Sequence, residues 1–273
     1  PLTGIKVVEL AGLGALPFGS LKLADMGAEV VRVDRLSEVP ETLEPRPHNF
    51  WDRGRRSIAV DLKDPRGVET VLRLAEGADA FLEAFRPGVA ERLGLGEEAL
   101  RKVNPRLIYA SITGYGDDGP YADRRGYDPI FQCLTGYVAA QVNPEVPIPD
   151  LVRNAVVDKA TSYSLAQAIT AALFARERGA GGQHIDVPML DASLAFYRDL
   201  LGLEELNRFD VEAGRFTLVF LAAPGNDVAQ VELTHNWDQD EPYETGRFFG
   251  HLAFAVDDVY TTCAALQNRG IVI

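Results

Sequence analysis

Short apolar runs alternate with amphipathic stretches through the first 190 residues of the chain. Amphipathic helices are predicted at Gly19–Met26 and Pro65–Ala75, the second with proline at an early helix position, where its missing N–H costs little. Strands are predicted before and between these helices, at Ile5–Leu10, Glu29–Val33, Arg56–Val60, Ala80–Glu83 and Leu107–Ile112. Strands joined by helical crossovers form a parallel sheet that is covered on both faces. We therefore predict a doubly wound, Rossmann-like α/β domain.

The hydrophobic pattern changes after Asp191. A long helix at Ala160–Arg178, ended by Gly179, is the last element of the first kind. A short helix at Ser193–Leu201 and a series of alternating runs follow, at Phe216–Leu221, Val228–Thr234 and His251–Val256, with a helix at Asp258–Asn268 and a strand at Ile271–Ile273. Such alternation is typical of an antiparallel sheet with helices on one side. We predict two domains, residues 1–192 and an α+β unit at residues 193–273.

Charge and composition narrow the class of protein. The chain has a net charge of −13, which argues against binding to a nucleic-acid backbone. Residues 1–192 carry 22 basic and 27 acidic side chains, and the remaining 81 residues carry 5 and 13. No apolar run reaches the ~20 residues of a membrane span, and the first residues lack a basic signal-peptide region. With Cys133 and Cys263 far apart, we expect a cytoplasmic protein.

The turn after the first predicted strand imitates a dinucleotide-binding fingerprint. Gly12 and Gly14 fit that fingerprint, and Asp34 ends the second strand, where an acidic residue would bind a ribose. Pro17, however, occupies the place of the third glycine, which must allow close packing of helix and strand. A tight strand-to-helix turn is therefore the better interpretation, and a nicotinamide cofactor is disfavoured.

Asp158 directly precedes the predicted long helix. One interpretation is structural: the carboxylate caps the helix and accepts a backbone N–H. The other is functional: the helix N-terminus stabilises an ionised carboxylate that attacks a carbonyl carbon. Position in the sequence does not decide between the two.

Seven ordered segments of residues 2–192 resemble the family III CoA-transferases, a family that also contains α-methylacyl-CoA racemase. They are IKVVELAG, ADMGAEVVRVDR, RRSIAVDLKDPRG, ADAFLEAFRPGVAERLGL, NPRLIYASITGYGDDGP, GYDPIFQCLTG and VVDKATSYSLAQAITAALFARERGAGGQHIDVPMLDA. The resemblance implies acyl-CoA and carboxylic acid substrates, an interlocked homodimer, and Asp158 as the nucleophile. This aspartate would form a mixed anhydride and then an aspartyl-CoA thioester.

The same resemblance assigns coenzyme A contacts to nine positions. They are Leu13, Gly14, Ala15, Arg35, Val60, Lys63, Phe85, Arg92 and Arg125. Guanidinium and ammonium groups suit the phosphates of CoA, and the apolar side chains suit its flat and aliphatic parts.

A racemase is the alternative within the family. Racemases carry a histidine followed by aspartate where this chain has Tyr127 and Asp128. A phenol with a pKa near ~10 is a poor proton-transfer group at neutral pH, so a transferase is preferred and Tyr127 is expected to contact the substrate.

Residues 193–273 resemble glyoxalase I and the wider vicinal-oxygen-chelate family, through SLAFYRDLLGLEEL, VELTHNW and GHLAFAVDD. This resemblance implies a Ni²⁺ or Zn²⁺ site with Glu232 and His251 as ligands, and Asn236 as a contact to a glutathione adduct. Only two of four family ligands have matching positions. A two-ligand site binds a metal weakly.

Both resemblances are partial, because family III transferases are about twice as long as the matching segment and the glyoxalase match lacks strands at both ends. The sequence is consistent with a fusion, a truncated product or a chimera. Three functions follow: a CoA-transferase acting through Asp158, a metal-dependent lyase centred on Glu232 and His251, and a non-catalytic relic.

Overall fold

The computed structural model describes residues 1–39, 50–138, 151–200, 204–212, 215–222 and 230–236. The chain divides into two compact units, Pro1–Tyr197 and Arg198–Ile273. The first unit contains β1 (Lys6–Leu10), α1 (Ala15–Asp25), β2 (Glu29–Arg35), β3 (Arg55–Val60), α2 (Pro65–Glu76), β4 (Ala80–Glu83), α3 (Val89–Arg92), α4 (Glu97–Val103), β5 (Ile108–Thr113), α5 (Asp128–Leu134), α6 (Val156–Glu177), β6 (His184–Pro188) and most of α7 (Met189–Leu200). The second contains β7 (Glu204–Val211), β8 (Phe216–Ala222) and β9 (Gln230–Asn236).

Six parallel strands form the sheet of the first unit, in the order β3-β2-β1-β4-β5-β6. The chain first moves outward from β1 through β2 to β3 and then returns to place β4 on the other side of β1. The direction of winding therefore reverses between β1 and β4, and a crevice opens at such a reversal beyond the carboxyl ends of the strands. This topology confirms the predicted doubly wound α/β fold.

Both faces of the sheet are buried. On one face, α1 and α6 cover strand residues that include Val7, Val30 and Ile108. On the other face, α2 and α4 cover residues that include Val8 and Phe81. Adjacent residues of β1 thus point into opposite cores, as the alternation of side chains along a strand requires.

The strand β6 is absent from the sequence-based prediction, which ended the strand set at β5. It pairs with β5 at the edge of the sheet, from Tyr109↔His184 to Thr113↔Pro188. Of its five residues only Val187 is buried, so the sequence lacks the apolar run that marks a central strand. Its place in the sheet depends on tertiary pairing.

The long helix also begins earlier than predicted, at Val156 and not at Ala160. Asp158 therefore lies inside the first turn, and the interpretation of this residue as the helix cap is wrong. Ala155, with a left-handed backbone conformation, occupies the cap position and makes no side-chain hydrogen bond. A carboxylate from a distant segment takes over the capping role, as described below.

In the second unit, β7, β8 and β9 form an antiparallel sheet in sequential order. The strands β8 and β9 correspond to the predicted runs Phe216–Leu221 and Val228–Thr234. The prediction missed β7, whose register is interrupted by a bulge at Glu205/Asn207. The predicted elements at His251–Val256, Asp258–Asn268 and Ile271–Ile273 lie outside the described residues. No described helix has the length and apolarity that a membrane span needs.

Candidate active site

A cleft of about 470 Å³ opens at the carboxyl ends of β1, β2, β4 and β5. The turn after β1, the end of β2, the segment after β4 and the loop before α5 form its walls. Asp158, in the first turn of α6, is one of the residues that line it. The cleft occupies the winding reversal of the sheet, the position at which open α/β sheets bind ligands.

The turn between β1 and α1 brings the backbone against the Asp158 carboxylate. Gly14 has a φ of 62°, a left-handed conformation that glycine adopts without steric cost. A Cβ atom at this position would stand 2.5 Å from Oδ2 of Asp158. Glycine is therefore required at position 14 for two reasons: its backbone conformation, and the space that the Asp158 carboxylate occupies beside it.

Packing between α1 and α6 holds the Asp158 segment in place. The Ser162 hydroxyl donates to the carbonyl oxygen of Ala15 at 2.6 Å, which joins the starts of the two helices. One turn farther along, a Cβ on Gly19 would stand 2.8 Å from a methyl group of Leu165. This close approach fixes the position of α6 along α1, and so the position of Asp158 relative to the β1–α1 turn.

Asp128 caps α6 in the place that sequence analysis considered for Asp158. One oxygen of its buried carboxylate accepts from the backbone N–H groups of Val157 and Asp158, at 2.8 and 3.0 Å. The other oxygen accepts from the side-chain amide of Gln132, which is itself buried. Because Asp128 satisfies the free N–H groups of the helix, the Asp158 side chain is released toward the cleft.

The pKa of Asp158 is raised to about 6, mainly by burial and also by the neighbouring Asp128 carboxylate, whereas the charge of Lys159 lowers it. Among the described residues, none donates a hydrogen bond to the Asp158 carboxylate. The group is therefore ionised at neutral pH but poorly solvated, which is the state that favours a carboxylate nucleophile.

Two further cavities reach Asp158. One, of about 570 Å³, lies between the β1–α1 turn, Trp51 and the segment Arg153–Lys159. The other, of about 490 Å³, lies between α5 and residues 151–155. Asp158 is thus a wall residue of three cavities that differ in their other walls.

The model for "CoA-transferase family III" matches residues 2–215. The chain belongs to CoA-transferase family III. A second model, "Glyoxalase/Bleomycin resistance protein/Dioxygenase superfamily", matches residues 183–273 and overlaps the first. These matches confirm both resemblances found in the sequence.

Among curated relatives of this family III chain, the succinate–glutarate CoA-transferase of Agrobacterium fabrum is 40% identical over 210 residues, which are 71% of this chain and 52% of the relative. The alpha-methylacyl-CoA racemase of Homo sapiens is 38% identical over 224 residues, 78% of this chain and 54% of the relative. The chain spans about half the length of the curated relatives it matches.

Solved structures of family III proteins agree with this fold. The orthorhombic crystal form of Rv3272 from Mycobacterium tuberculosis has a TM-score of 0.65 and 34% sequence identity, covering 82% of this chain and 66% of that one. A CAIB/BAIF family protein from Brucella suis has a TM-score of 0.65 and 32% identity, covering 83% and 67%.

Seven of the residues assigned to ligands by the family resemblance line the cleft together with Asp158. They are Leu13, Gly14, Ala15, Arg35, Phe85, Arg125 and Tyr127. Val60, Lys63 and Arg92 are not among its lining residues: Val60 packs against the core beneath α2, and the other two side chains are exposed. Their contacts with CoA stay predictions.

The cleft also contains functional candidates that sequence reasoning did not name. Arg86 and Arg124 join Arg35 and Arg125, so that four guanidinium groups surround the cleft. Arg86 follows Phe85 in the FRPG segment, and Arg124 precedes Arg125. Both therefore lie next to residues that the family motifs identify, and both could have been found from the sequence. The sequence analysis named Asp128 beside Tyr127 but gave no sign of its capping role, because that role depends on tertiary contact.

The candidate metal site of the second unit is not assembled by the described residues. Glu232 and Asn236 lie on β9, and His251 lies outside the described residues. No group of three or more His, Cys, Asp or Glu residues in the described part of the chain could hold a metal ion. The metal ligands and the glutathione contact stay predictions.

Proposed function

We propose that the chain acts as an acyl-CoA:carboxylate CoA-transferase with Asp158 as the nucleophile. The observation that carries this proposal is the position of the Asp158 carboxylate, ionised at neutral pH, pressed against Gly14 and facing a cleft at the winding reversal of the sheet. Membership of family III and relatives named as CoA-transferases support the reaction class.

The charge of the cleft suits the polyphosphate part of CoA. Four arginines surround it, at the end of β2, after β4 and before α5. Guanidinium groups bind phosphate oxygens in a bidentate manner, and their charge does not depend on pH in the physiological range. Leu13, 85% exposed, and the half-buried Phe85 provide apolar surface beside them. We place the nucleotide along these arginines and the thioester at Asp158.

The proposed reaction proceeds through the Asp158 carboxylate. An oxygen of Asp158 attacks the thioester carbonyl carbon, and the C–S bond breaks. CoA thiolate departs, and a mixed anhydride of Asp158 and the acyl group is formed. The thiolate then attacks the Asp158 carbonyl, which releases the donor acid and leaves an aspartyl-CoA thioester. The acceptor carboxylate then attacks the aspartyl-CoA thioester and displaces CoA thiolate, which gives a second mixed anhydride. The thiolate attacks the acceptor's carbonyl carbon in this anhydride, which regenerates the Asp158 carboxylate and yields the new acyl-CoA.

Racemisation would require a second proton-transfer group beside Asp158. Tyr127 lines the same cleft at the position where racemases of the family carry histidine, but its side chain is 56% exposed. A phenol in contact with water is a weak base at neutral pH. The transfer reaction is therefore preferred.

Intact-mass spectrometry of the protein mixed with a panel of acyl-CoA thioesters tests the proposal. We expect a mass increase equal to CoA minus one water molecule for the thioester, or to the acyl group in place of one hydrogen for the anhydride. Neither should appear in Asp158→Ala or in the isosteric Asp158→Asn. Arg73→Gln, on the exposed side of α2, serves as a control that retains the adduct. An adduct that persists in Asp158→Asn, or none with any thioester, would refute the proposal.

A second candidate function, supported by the family match at residues 183–273, is a glyoxalase-type lyase that uses Glu232 and His251. It predicts turnover of a glutathione hemithioacetal that a chelator abolishes and that His251→Ala lacks. Chelator-insensitive or absent turnover would exclude this candidate.

A further inference from the structure

The segment between β4 and α3 is a wall that two cavities share. Phe85, Arg86 and Pro87 line the CoA cleft, and they also line a smaller cavity of about 220 Å³. The smaller cavity reaches β5 and β6, and four carboxylates line it, those of Glu83, Glu91, Glu97 and Asp117. A shift of the shared segment toward this acidic cavity would move one wall of the cleft away from CoA. The position of the segment therefore determines how well the cleft fits its ligand.

Glu83 is the buried group that holds this segment. It is the last residue of β4, and it is 4% exposed. Its Oε2 accepts from the backbone N–H of Phe85 at 2.6 Å, and its Oε1 accepts from the hydroxyl of Tyr109 at 3.0 Å. Tyr109 is itself buried, and its ring stacks on that of Phe81. The carboxylate thus joins the backbone of the segment to a side chain that the core holds in place.

Stability alone does not favour a carboxylate at this position. Burial raises the pKa of Glu83 to about 7, and the charges of Glu91 and Asp117 raise it too, whereas the two hydrogen bonds lower it. In the described part of the chain, no arginine or lysine is paired with Glu83 to offset the cost of burying its charge. An apolar side chain of similar size would avoid that cost. The bond to Phe85 is the contribution that such a side chain would lack.

Phe85 depends on this bond for its position. Its half-buried ring packs against the core cluster beneath α2 and α4, and its backbone N–H donates to Glu83. Without the acceptor, this N–H would be left unpaired in a partly buried position, and the segment would have to move to reach water. Arg86 and Pro87 would move with it, because they follow directly in the chain.

We propose that Glu83 is a positioning residue for CoA binding, which holds the backbone of Phe85 and through it the wall formed by Phe85, Arg86 and Pro87. This inference rests on the proposed transferase function, which assigns that wall to CoA. Glu83 is not among the residues that line the cleft, so we assign it no contact with CoA or with the reacting atoms. Its effect is on the affinity for CoA and not on the chemistry at Asp158.

Isothermal titration calorimetry with CoA tests the inference at pH 8, where Glu83 is mainly ionised. Glu83→Met, which has a similar shape and no oxygen, should raise the Kd of CoA about tenfold, the equivalent of one lost hydrogen bond. Glu83→Gln keeps an oxygen for the N–H of Phe85 and should bind within about threefold of the parent. At saturating acyl-CoA, both variants should form the Asp158 adduct at the rate of the parent.

Variants of Tyr109 separate a loss of stability from a loss of positioning. Tyr109→Phe removes one bond of Glu83 and leaves the bond to Phe85, so it should lower Tm and keep the parent's affinity for CoA. The double variant Glu83→Met/Tyr109→Phe removes both partners of a buried bond, which is nearly neutral for folding, and should bind as weakly as Glu83→Met. It replaces Glu83→Met if the single variant does not fold. Glu76→Met, at an exposed carboxylate of α2, is the matched control and should behave as the parent does.

Parent-like affinity in the Glu83→Met proteins, no rescue by Glu83→Gln, or an equal loss in Tyr109→Phe would overturn the assignment. Any of these results together with an intact Asp158 adduct would leave the transferase function standing. Affinity for CoA that depends on Glu83, in a protein that forms no adduct, would retain the positioning role and refute the transferase. A parent that does not bind CoA would refute both.

Discussion

Asp158 is the residue at which reactivity and stability oppose each other. Its pKa of about 6 in the folded chain exceeds the ordinary aspartate value of 3.8. The folded state therefore holds the proton more tightly than the unfolded state. The associated stability is fully present below pH 4 and is lost as the pH rises through about 6. The proposed nucleophile thus becomes ionised over the same pH range in which the fold loses this stability.

Replacing Asp158 with asparagine should therefore stabilise the protein at pH 8 while it abolishes the adduct. After allowance for solvent screening of this half-exposed group, we expect a gain of about 1 kcal/mol, or about 2–4 °C in Tm. At pH 4 the two proteins should melt together, because Asp158 is then protonated. Thermal melts at both pH values measure the effect, and an equal difference at the two values would contradict the assignment.

Asp128 should control the pH dependence of Asp158. In Asp128→Asn one oxygen still accepts from the N–H groups at the start of α6, but the neighbouring negative charge is gone. The pKa of Asp158 should fall, so the acidic limb of adduct formation should move to lower pH. Asp128→Ala also removes the cap and should destabilise the fold by about 1–2 kcal/mol.

Rates of adduct formation between pH 4 and 8 measure this shift, with Asp123→Asn, a change at an exposed carboxylate, as the control. If the acidic limb of the pH–rate profile is not shifted in Asp128→Asn, the charge of Asp128 does not affect the pKa of Asp158.

The sequence proposed Asp158 as the nucleophile, which stays a prediction, but misassigned its local structure. The motif order around it was informative, whereas its place in the first turn of α6 depended on a cap thirty positions away in Asp128. Local capping rules consider only neighbouring residues, and a distant carboxylate lies beyond them. The family resemblance assigned seven residues that do line the cleft, because those positions follow strands whose ends meet at one edge of the sheet.

At the scale of elements, the contact between the β1–α1 turn and α6 is the feature most open to test. Gly14→Ala would place a methyl group against the Asp158 carboxylate and force a left-handed conformation on alanine. We expect at least a tenfold loss in the rate of adduct formation and a loss of stability of about 1–2 kcal/mol.

Gly77→Ala is the matched control, because Gly77 has a φ of −105° and open space around its Cα. It should retain both the stability and the rate. If Gly14→Ala behaved in the same way, the turn would not press against Asp158 in solution.

The central elements were predictable because their hydrophobic pattern is strong. The prediction located β1, β2, β4 and β5 to within a few residues. Nearly all residues of β1, β4 and β5 are buried, and β2 buries Val30 and Val33. Of the two edge strands, β3 was located to within one residue because its sequence, RRSIAV, ends in an apolar run, although none of its residues is fully buried. The other edge strand, β6, was missed because its sequence, HIDVP, contains no such run. Local patterns thus find strands through apolar runs in the sequence.

At the scale of the whole molecule, the sequence predicted the α/β class and both family resemblances. The prediction of a parallel, doubly wound sheet came from the rule for helical crossovers, and the strand order β3-β2-β1-β4-β5-β6 was not predicted. The convergence of separate cavities on Asp158 could not be predicted, because it depends on how the β1–α1 turn, residues 151–155 and α5 pack around one side chain. The sequence proposes Asp158 as the nucleophile, but packing determines which sides of this residue are open.

The junction of these cavities has a consequence for the order in which ligands bind and leave. If Asp158 faced one cavity, the donor acid would have to depart before the acceptor could enter, and double-reciprocal plots at several acceptor concentrations would be parallel. Because more than one cavity reaches Asp158, we expect the proposed transferase to bind donor thioester and acceptor together. Initial-rate measurements should therefore give intersecting lines, the pattern of a ternary complex, and parallel lines would show that the routes are used one at a time.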